Sequence, residues 1–316
     1  MFVETHATSH IGRVRKGNED NYLLLDVANA KTWTSSQEPD DFIVESQKFE
    51  VQDKGVVLAV SDGMGGALAG EVASKMAVET VGGQFLSEKS SRAGSGAAAE
   101  NSENSLVEKF YDATVYANYL IHRQGRSDPQ YSGMGATFTG LSIGGGAAAV
   151  DFVQVGDSRA YLVRMGEIHQ ITKDQSLVQQ LIDAKQITAE EAETHSLKNV
   201  ILQALGAQNE IFPVPARLAA RRGDVLLLCS DGLSNKIGSN DMKRIIVKNI
   251  DALHLASAEM VKLANERGGE DNITLILARL TGEDLPAPTE GEAIDLQILD
   301  FANIHDTADQ TTAEIV

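Results

Sequence analysis

Acidic residues recur beside the apolar segments of this chain. Three sites directly follow a segment rich in Val, Leu and Ile, and two more precede one. A single Asp–Gly pair is common turn chemistry, so any one site alone predicts only a turn. If the apolar segments are strands of one sheet system, however, their ends converge and the acidic side chains lie together. The sites are Asp62, Asp157 and Asp231 after a segment, and Glu19-Asp20 and Asp271 before one.

A cluster of carboxylates needs a cation, because like charges within a few ångströms cannot all stay ionised without one. No His or Cys pattern accompanies these sites, and oxygen ligands alone favour hard ions such as Mg²⁺ or Mn²⁺. Gly63, directly after Asp62, has no side chain, so its own carbonyl can turn toward such an ion. The pattern therefore predicts a divalent metal site.

Two arginines lie a few residues before the Glu19-Asp20 pair, at Arg13 and Arg15. An arginine beside a metal site is a natural clamp for a phosphate group, because its planar fork matches two phosphate oxygens. An ordinary ion pair between arginine and carboxylate explains the same spacing. Both interpretations remain open from these residues alone.

Short apolar segments bounded by Gly, Asp or Asn predict the strands that would carry the acidic sites. Met165-Gly166-Glu167 separates two of them and predicts a hairpin. Apolar residues at helical spacing predict helices between the strands. The predicted strands are Tyr22–Val27, Val56–Val60, Phe152–Val155, Ala160–Arg164 and Val225–Cys229. The predicted helices include Val72–Phe85, Leu106–Ile121, Leu253–Arg267, Ser176–Ala184 and Thr188–His195, the last with a capping box at Thr188 and Glu191.

Three stretches lack such periodicity. Lys31–Lys54 is polar and predicts either a loop insertion or a long hairpin, and Ser87–Asn104 is a low-complexity segment between two helices. The tail after Gly282 begins as a Pro-containing linker and then holds the apolar stretch AIDLQILDF. That stretch either docks on the domain or on a partner, or belongs to a frayed acidic tail.

Composition excludes several classes of function. The 316 residues carry a net charge of −18, so a large nucleic-acid footprint is not expected. No apolar run is long enough to cross a bilayer, and the N-terminus lacks the layout of a signal peptide. Cys229 is the one cysteine, which excludes an internal disulfide, and we interpret it as a small core residue. We expect a cytoplasmic protein.

Seven motifs occur in the order found in the PPM, or type 2C, protein serine/threonine phosphatases that depend on Mg²⁺ or Mn²⁺. Each motif alone is weak, but the ordered set is specific, and it most resembles the compact bacterial version of the family. The resemblance covers Glu4 to Leu280. The motifs are RVRKGNED, SDGMGGALAGEVAS, GATFTG, VGDSRAYL, NVILQALGA, LLLCSDGL and GGEDNITLIL.

The resemblance implies an α+β fold in four layers. Two central antiparallel β-sheets form an α/β/β/α sandwich flanked by helices, with the metals at one end. The phosphatase domain would span residues 1–281, with a flap at about 172–199 beside the active site. Residues 282–316 would form an acidic C-terminal tail, which carries nine acidic residues and no Lys or Arg.

The resemblance also assigns roles to individual residues. Asp62 would bridge two metal ions and Gly63 would offer its carbonyl to one of them, with Asp231 and Asp271 completing the shared site. Arg15 would bind the phosphate. The acidic pair would hold or steady the second metal, and a further Asp would help to hold a third, weaker one; these residues are Glu19 and Asp20, and Asp157.

The implied activity is hydrolysis of phosphoserine and phosphothreonine in proteins by a hydroxide that bridges two Mn²⁺ or Mg²⁺ ions. The partners would be phosphorylated proteins, namely a bacterial serine/threonine kinase or its targets, and we expect a monomer. The alternative is a pseudophosphatase or a phosphoprotein-binding scaffold. Loss of metal carboxylates would favour that alternative, and every metal-motif Asp is present.

The chain departs from the family pattern within the second motif and after the hairpin. Some members carry His after the Asp-Gly of the second motif, proposed as the general acid, where this chain has Met64. Members usually read Asp-His-Ser after the hairpin, where this chain has Asp174-Gln175-Ser176. The departures leave the proton donor unassigned, and they prevent substrate specificity from being carried over from relatives.

Overall fold

Two antiparallel sheets pack face to face in the computed structural model, which describes residues 1–35, 42–51, 53–87, 105–144 and 148–301. The first sheet has six strands in the order β10-β9-β12-β13-β1-β4. Its strands β12 and β13 are largely apolar because both faces of the sheet are covered there. Their bounds are β1 Phe2–His10, β4 Phe42–Glu50, β9 Arg159–Arg164, β10 Glu167–Gln170, β12 Val225–Cys229 and β13 Ile273–Thr281.

The second sheet has the strand order β14-β11-β8-β7-β5-β2-β3, and the short β6 pairs with β5 outside that path. β2 and β5 are paired so that Asp20 stands opposite Asp62. The bounds are β2 Asp20–Asp26, β3 Lys31–Thr34, β5 Val56–Met64, β6 Gly135–Ala136, β7 Phe138–Ile143, β8 Ala149–Val155, β11 Val214–Ala219 and β14 Leu296–Ile298.

Helices cover the outer face of each sheet. α1 and α2 pack on the eight-stranded sheet, and α6 and α7 pack on the six-stranded one. None of the helices in the described ranges is long and apolar enough to cross a membrane. The bounds are α1 Ala67–Leu86, α2 Ser105–Ser127, α3 Leu177–Asp183, α4 Ala189–Glu193, α5 Asp231–Ser234, α6 Ser239–Lys248 and α7 Leu253–Glu266.

The core therefore has three apolar layers. Alternate side chains of one strand point to opposite faces, so Leu24 and Leu58 pack between the sheets while Leu23 and Val57 pack under α1 and α2. The third layer joins the six-stranded sheet to α6 and α7, with Cys229 buried in it as predicted. The four-layer α+β sandwich inferred from the motifs is confirmed.

Most predicted elements are confirmed, and their ends shift by a few residues. β9 and β10 form the predicted hairpin, with Met165 at a positive φ of 51° in the turn. Helices α3 and α4 lie where two short helices were predicted, and Thr188 forms a capping box with Glu191. Much of the low-complexity prediction falls on residues 88–104, outside the described residues.

The Lys31–Lys54 stretch is organised differently from both predictions. It contains two strands that do not pair with each other, since β3 extends the eight-stranded sheet beside β2 and β4 extends the six-stranded sheet beside β1. The stretch thus passes from one sheet to the other. A polar sequence can form such strands because each lies at the border of its sheet, where one side faces water.

The segment 282–301 lies against the two sheets. Leu285 is buried in the layer between them, and Arg221 forms an ion pair with Glu292. β14 then pairs with β11, and Phe301 is buried against Tyr111 of α2. This part of the acidic tail is packed on the domain, and residues 302–316 lie outside the described residues.

Buried His6 on β1 predicts one pH effect on folding. Burial, with a contribution from nearby His254, lowers the pKa of His6 to about 4 from 6.5. The folded protein favours the neutral imidazole of His6. The folding stability that depends on the neutral ring is therefore fully present above pH ~6.5 and is lost as the pH falls toward 4. We expect wild type to lose ~1–3 kcal/mol relative to His6→Gln between pH 7 and pH 4 in urea unfolding. A pH-independent difference between the two proteins would contradict this, and His169→Gln, at an exposed site on β10, is the control.

Candidate active site

The acidic sites converge at one end of the sandwich, around a cavity of about 350 Å³. The convergence follows from the topology, because β5, β8 and β12 end there while β2 and β13 begin there. Asp20 is the one predicted site residue that does not line the cavity; it is buried and paired in register with Asp62. The predicted residues that line it are Arg15, Glu19, Asp62, Gly63, Asp157, Asp231 and Asp271.

The backbone around Asp62 is fixed by the neighbouring β6–β7 segment. The amide of Asp62 donates to Thr137 Oγ1 at 3.0 Å, and the amide of Thr137 donates to the carbonyl of Asp62 at 2.8 Å. The amide of Gly63 donates to the carbonyl of Glu19 at 3.2 Å, which joins the ends of β5 and β2. These bonds hold Asp62 and Gly63 in place without using the carboxylate of Asp62 or the carbonyl oxygen of Gly63.

Asn272 and Ser230 position the acidic pair. Asn272 Oδ1 accepts from the amide of Glu19 at 2.8 Å, and its Nδ2 donates to the carbonyl of Gly17 at 3.0 Å. Ser230 Oγ donates to Asp20 Oδ2 at 2.7 Å, so the other oxygen of that carboxylate is left for another partner. Both positioning residues adjoin a predicted metal residue in sequence, since Ser230 precedes Asp231 and Asn272 follows Asp271.

Arg15 reaches over the cavity from the loop before β2. Its Nη2 donates to Asp271 Oδ2 at 2.8 Å, and its Nη1 lies 3.8 Å from Glu19 Oε2. The side chain is 44% exposed, so the guanidinium remains accessible from the cavity. These carboxylates, opposed by partial burial, raise the pKa of Arg15 above its usual value. The ion pair that the spacing predicted is therefore present, and it directs the arginine at the site.

The cluster disfavours its own ionisation. Removal from water, reinforced by neighbouring carboxylates, raises the pKa of Asp20 to about 7 and that of Asp157 to about 7. The same two causes raise the pKa of Asp62 well above its ordinary value, and they also raise the pKa of Asp231. Such a set of acids is electrostatically incomplete without a cation.

The donor set fits divalent cations. One oxygen each of Asp20, Asp157 and Asp231 is buried and lacks a hydrogen-bond partner among the described residues. Unpaired buried oxygens are costly, and coordination to a hard ion satisfies them. No three or more His, Cys, Asp or Glu side chains in the described part of the chain already form a ready metal site. An ion would have to draw the mutually repelling carboxylates together.

Several residues of the site were not singled out from the sequence, among them Thr137, Ser230 and Lys16. Thr137 lies inside the GATFTG motif and Ser230 inside LLLCSDGL, but only the fold shows that they bond to Asp62 and Asp20. Lys16 also lines the cavity, beside Arg15. A basic residue next to Arg15 in the first motif is a signal that could have been recognised.

Gly63 tolerates no side chain. A β-carbon there would lie 2.1 Å from the carbonyl oxygen of Gly70 and 2.7 Å from that of Glu19. We expect Gly63→Ala to lower the free energy of unfolding by ~1–3 kcal/mol in urea, because β5 and α1 must move apart. Gly83→Ala is the matched control: a β-carbon there meets nothing within 4 Å beyond its own helix, and we expect stabilisation by ~0.5–1 kcal/mol. Equal effects of the two changes would contradict the packing argument.

A helix-flanked pair of antiparallel sheets, with acidic residues and an arginine at one end, defines the type 2C phosphatase class. Comparison with known proteins gives the same result. The chain belongs to the protein phosphatase 2C family, whose family model "Protein phosphatase 2C" matches residues 34–270. It is an enzyme of the protein serine/threonine phosphatase class, of the bacterial type. The identification made from the seven motifs is confirmed.

Curated relatives are bacterial phosphatases. Protein phosphatase PhpP of Streptococcus pneumoniae is 38% identical over 228 residues, which cover 72% of this chain and 87% of the relative. Serine/threonine protein phosphatase PstP of Mycobacterium tuberculosis is 35% identical over 230 residues, covering 72% of this chain and 41% of the relative.

Solved structures match more of the chain. The crystal structure of PstP from M. tuberculosis superposes with a TM-score of 0.70 and 30% identity, covering 89% of this chain and 100% of that one. The catalytic domain of PstP in complex with two manganese ions has a TM-score of 0.67 and 30% identity, with the same coverage. Divalent metal dependence of this family is thereby supported.

Proposed function

We propose that this chain hydrolyses phosphoserine and phosphothreonine esters in proteins. The observation that carries the proposal is the convergence of Asp62, Asp157 and Asp231 on one cavity, where Asp157 and Asp231 each have an unpaired carboxylate oxygen and an arginine is accessible. Arg15 is the residue we assign to the phosphate. The chemistry is that of a metal-dependent phosphoester hydrolase rather than of a nucleophilic cysteine, since Cys229 is buried and burial raises its thiol pKa.

We assign two divalent ions, Mn²⁺ or Mg²⁺, to the shared site. Asp62 and the carbonyl of Gly63 would hold them with Asp231 and Asp271, and Glu19 and Asp20 would support the second ion. Such a pair of ions would supply Lewis-acid stabilisation of the phosphoryl oxygens and would lower the pKa of a bound water toward neutral pH. Asp157, which lines the same cavity, would hold a third and weaker ion. The support is the set of unpaired carboxylate oxygens together with the manganese-bound structural relative.

Arg15 binds and orients the phosphoryl group. Its guanidinium offers parallel donors that match two phosphate oxygens, and its contacts with Asp271 and Glu19 hold it over the cavity before substrate arrives. Less side-chain entropy is then lost on binding. Met64 has no proton to donate, so the leaving oxygen takes its proton from water or from another group of the cavity.

Phosphorylated proteins are the proposed partners, with a bacterial serine/threonine kinase or its targets as the source. A cytoplasmic location is supported by the single cysteine, which is free and buried. We propose that the protein acts as a monomer. The pseudophosphatase alternative has no support in the site, because each of the predicted metal carboxylates is present and placed at the same end of the sandwich.

The test is phosphate release by the purified full chain from matched phosphoserine, phosphothreonine and phosphotyrosine peptides, with Mn²⁺, with Mg²⁺ and with EDTA. We expect release from the first two peptides with either metal and none with EDTA. Inactivity on both peptides over a range of Mn²⁺ concentrations would refute the proposed function. Faster release from phosphotyrosine would refute the substrate class alone.

A further inference from the structure

Gln175 holds the turn that carries Asp157. This turn follows β8, and Gly156 adopts a positive φ of 98° in it. The amide of Gly156 donates to Gln175 Oε1 at 2.7 Å, and its carbonyl accepts from the amide of Gln175 at 3.0 Å and from Gln154 Nε2 at 3.1 Å. Gln175 therefore bonds to both backbone polar groups of Gly156, the residue directly before Asp157.

The residues after Asp157 are held from the same direction. Arg159 donates to Asp174 from Nε at 2.9 Å and from Nη2 at 2.6 Å, a two-pronged ion pair. Ser158 Oγ shares a 2.7 Å hydrogen bond with Thr137 Oγ1, the same oxygen that accepts from the Asp62 amide. The consecutive residues Asp174 and Gln175 thus fix the turn on both sides of Asp157.

Gln175 also ties this turn to the segment that follows the flap. Its carbonyl accepts from the amide of Leu202 at 2.8 Å, and its Nε2 lies 3.4 Å from the carbonyl oxygen of Phe212, to which it donates. Ile201, next to Leu202, lines the active-site cavity. The Gln175 side chain accepts a hydrogen bond from Gly156, on the side of the proposed metal site, and donates one to Phe212 on the other side. Only a group that is both an acceptor and a donor can make this pair of bonds.

Few other contacts among the described residues orient the Asp157 carboxylate. Its Oδ1 is buried without a hydrogen-bond partner among the described residues, and the residue lines the cavity. We propose that Gln175 is a positioning residue, which fixes the Gly156 peptide so that the Asp157 carboxylate faces the cation site. The proposal rests on the proposed function, since it concerns the third, weaker ion. Gln175 stands where family members usually carry His, so this chain performs the positioning with an uncharged amide.

The test is a double-mutant cycle on Mn²⁺ binding, measured by electron paramagnetic resonance of free Mn²⁺ with the full-length protein. Gln175→Ala is compared with Asp157→Ala and with the double variant. We expect Gln175→Ala to weaken the weakest class of Mn²⁺ sites by roughly 10-fold or more, the range found when residues that orient metal ligands are removed. In the Asp157→Ala background the same change is expected to have no further effect, because Gln175 acts through Asp157.

Two further variants separate positioning from folding. Gln175→His, which in its neutral form has one acceptor and one donor, is expected at pH 8 to bind Mn²⁺ more tightly than Gln175→Ala. Gln179→Ala removes a glutamine from α3 that donates to Asp183 at 3.0 Å, and it is expected to leave the isotherm unchanged. Equal weakening by Gln175→Ala with and without Asp157, or none at all, overturns the positioning role while wild type still binds Mn²⁺. Absence of Mn²⁺ binding by wild type would instead refute the proposed function.

Discussion

Replacing Asp62 by asparagine is expected to lower phosphate release from a phosphothreonine peptide by ~10³-fold or more and, in metal-free protein, to raise the melting temperature. The loss follows because an amide cannot supply the negative charge that holds two cations. The gain follows because Asp62 is buried among carboxylates that repel it, and burial together with these neighbours raises its pKa well above the ordinary value. A substitution that lowers activity but raises the melting temperature identifies a side chain that serves function at a cost in folding stability.

The measurements are steady-state phosphate release with Mn²⁺ and thermal unfolding in EDTA. Asp26→Asn is the matched control, since Asp26 is a buried acid at the other end of β2 that accepts hydrogen bonds from Asn29. That control is expected to retain activity and to gain no stability. Retention of more than about a tenth of wild-type turnover by Asp62→Asn would contradict the metal assignment, because loss of one metal-stabilised contact already costs ~10²-fold.

Replacing Arg15 by alanine is expected to reduce kcat/KM by ~10²-fold, the size found when one charged stabiliser of the transition state is removed. The fold should tolerate the change, because the side chain is 44% exposed and its ion pairs lie in a solvent-accessible cavity. Arg15→Lys is expected to recover only part of the loss, since an ammonium group cannot bind two phosphate oxygens in the planar, two-pronged way of a guanidinium.

Arg13→Ala is the control for this prediction. Arg13 is two residues away, and its Nη1 donates to the carbonyl of Asn265 at 3.2 Å rather than to the acidic cluster. It is expected to keep kcat/KM within about twofold of wild type, as for surface changes outside the site. Similar losses in both variants would show that general basic charge, and not the geometry of Arg15, attracts the substrate.

Much of the site could be predicted from sequence because its parts are local signals. An apolar run that ends in Asp-Gly marks a strand end, and Asp62 and Asp231 both carry that signature. The order of the seven motifs along the chain then indicates how these acidic residues are arranged in the fold, which their spacing in the sequence alone cannot show. Thr137 could not be assigned a role, since it lies 75 residues from Asp62 and the two meet only when β6 pairs with β5.

Several strands were not predicted, and β1 and β14 are examples in which the apolar signal is weak. β1 buries Thr5, Thr8 and Ser9, which are polar, and its hydroxyls are satisfied by bonds such as the 2.7 Å contact between Ser9 and Thr274. β14 spans only three residues, too short for a period to show. Both strands are stabilised by long-range pairing with β13 and β11, which no local pattern reports.

The pairing of β14 with β11 has a consequence for where the chain can be cut. Residues Leu296 and Ile298 stand opposite Leu218 and Ala216, so a protein ending at residue 281 would leave β11 with a bare row of amides and carbonyls. An uncovered strand of this kind recruits strands from other molecules. We therefore expect the shortened protein to self-associate although every residue that lines its cavity is still present, and we expect the segment 282–301 to limit aggregation by covering this strand.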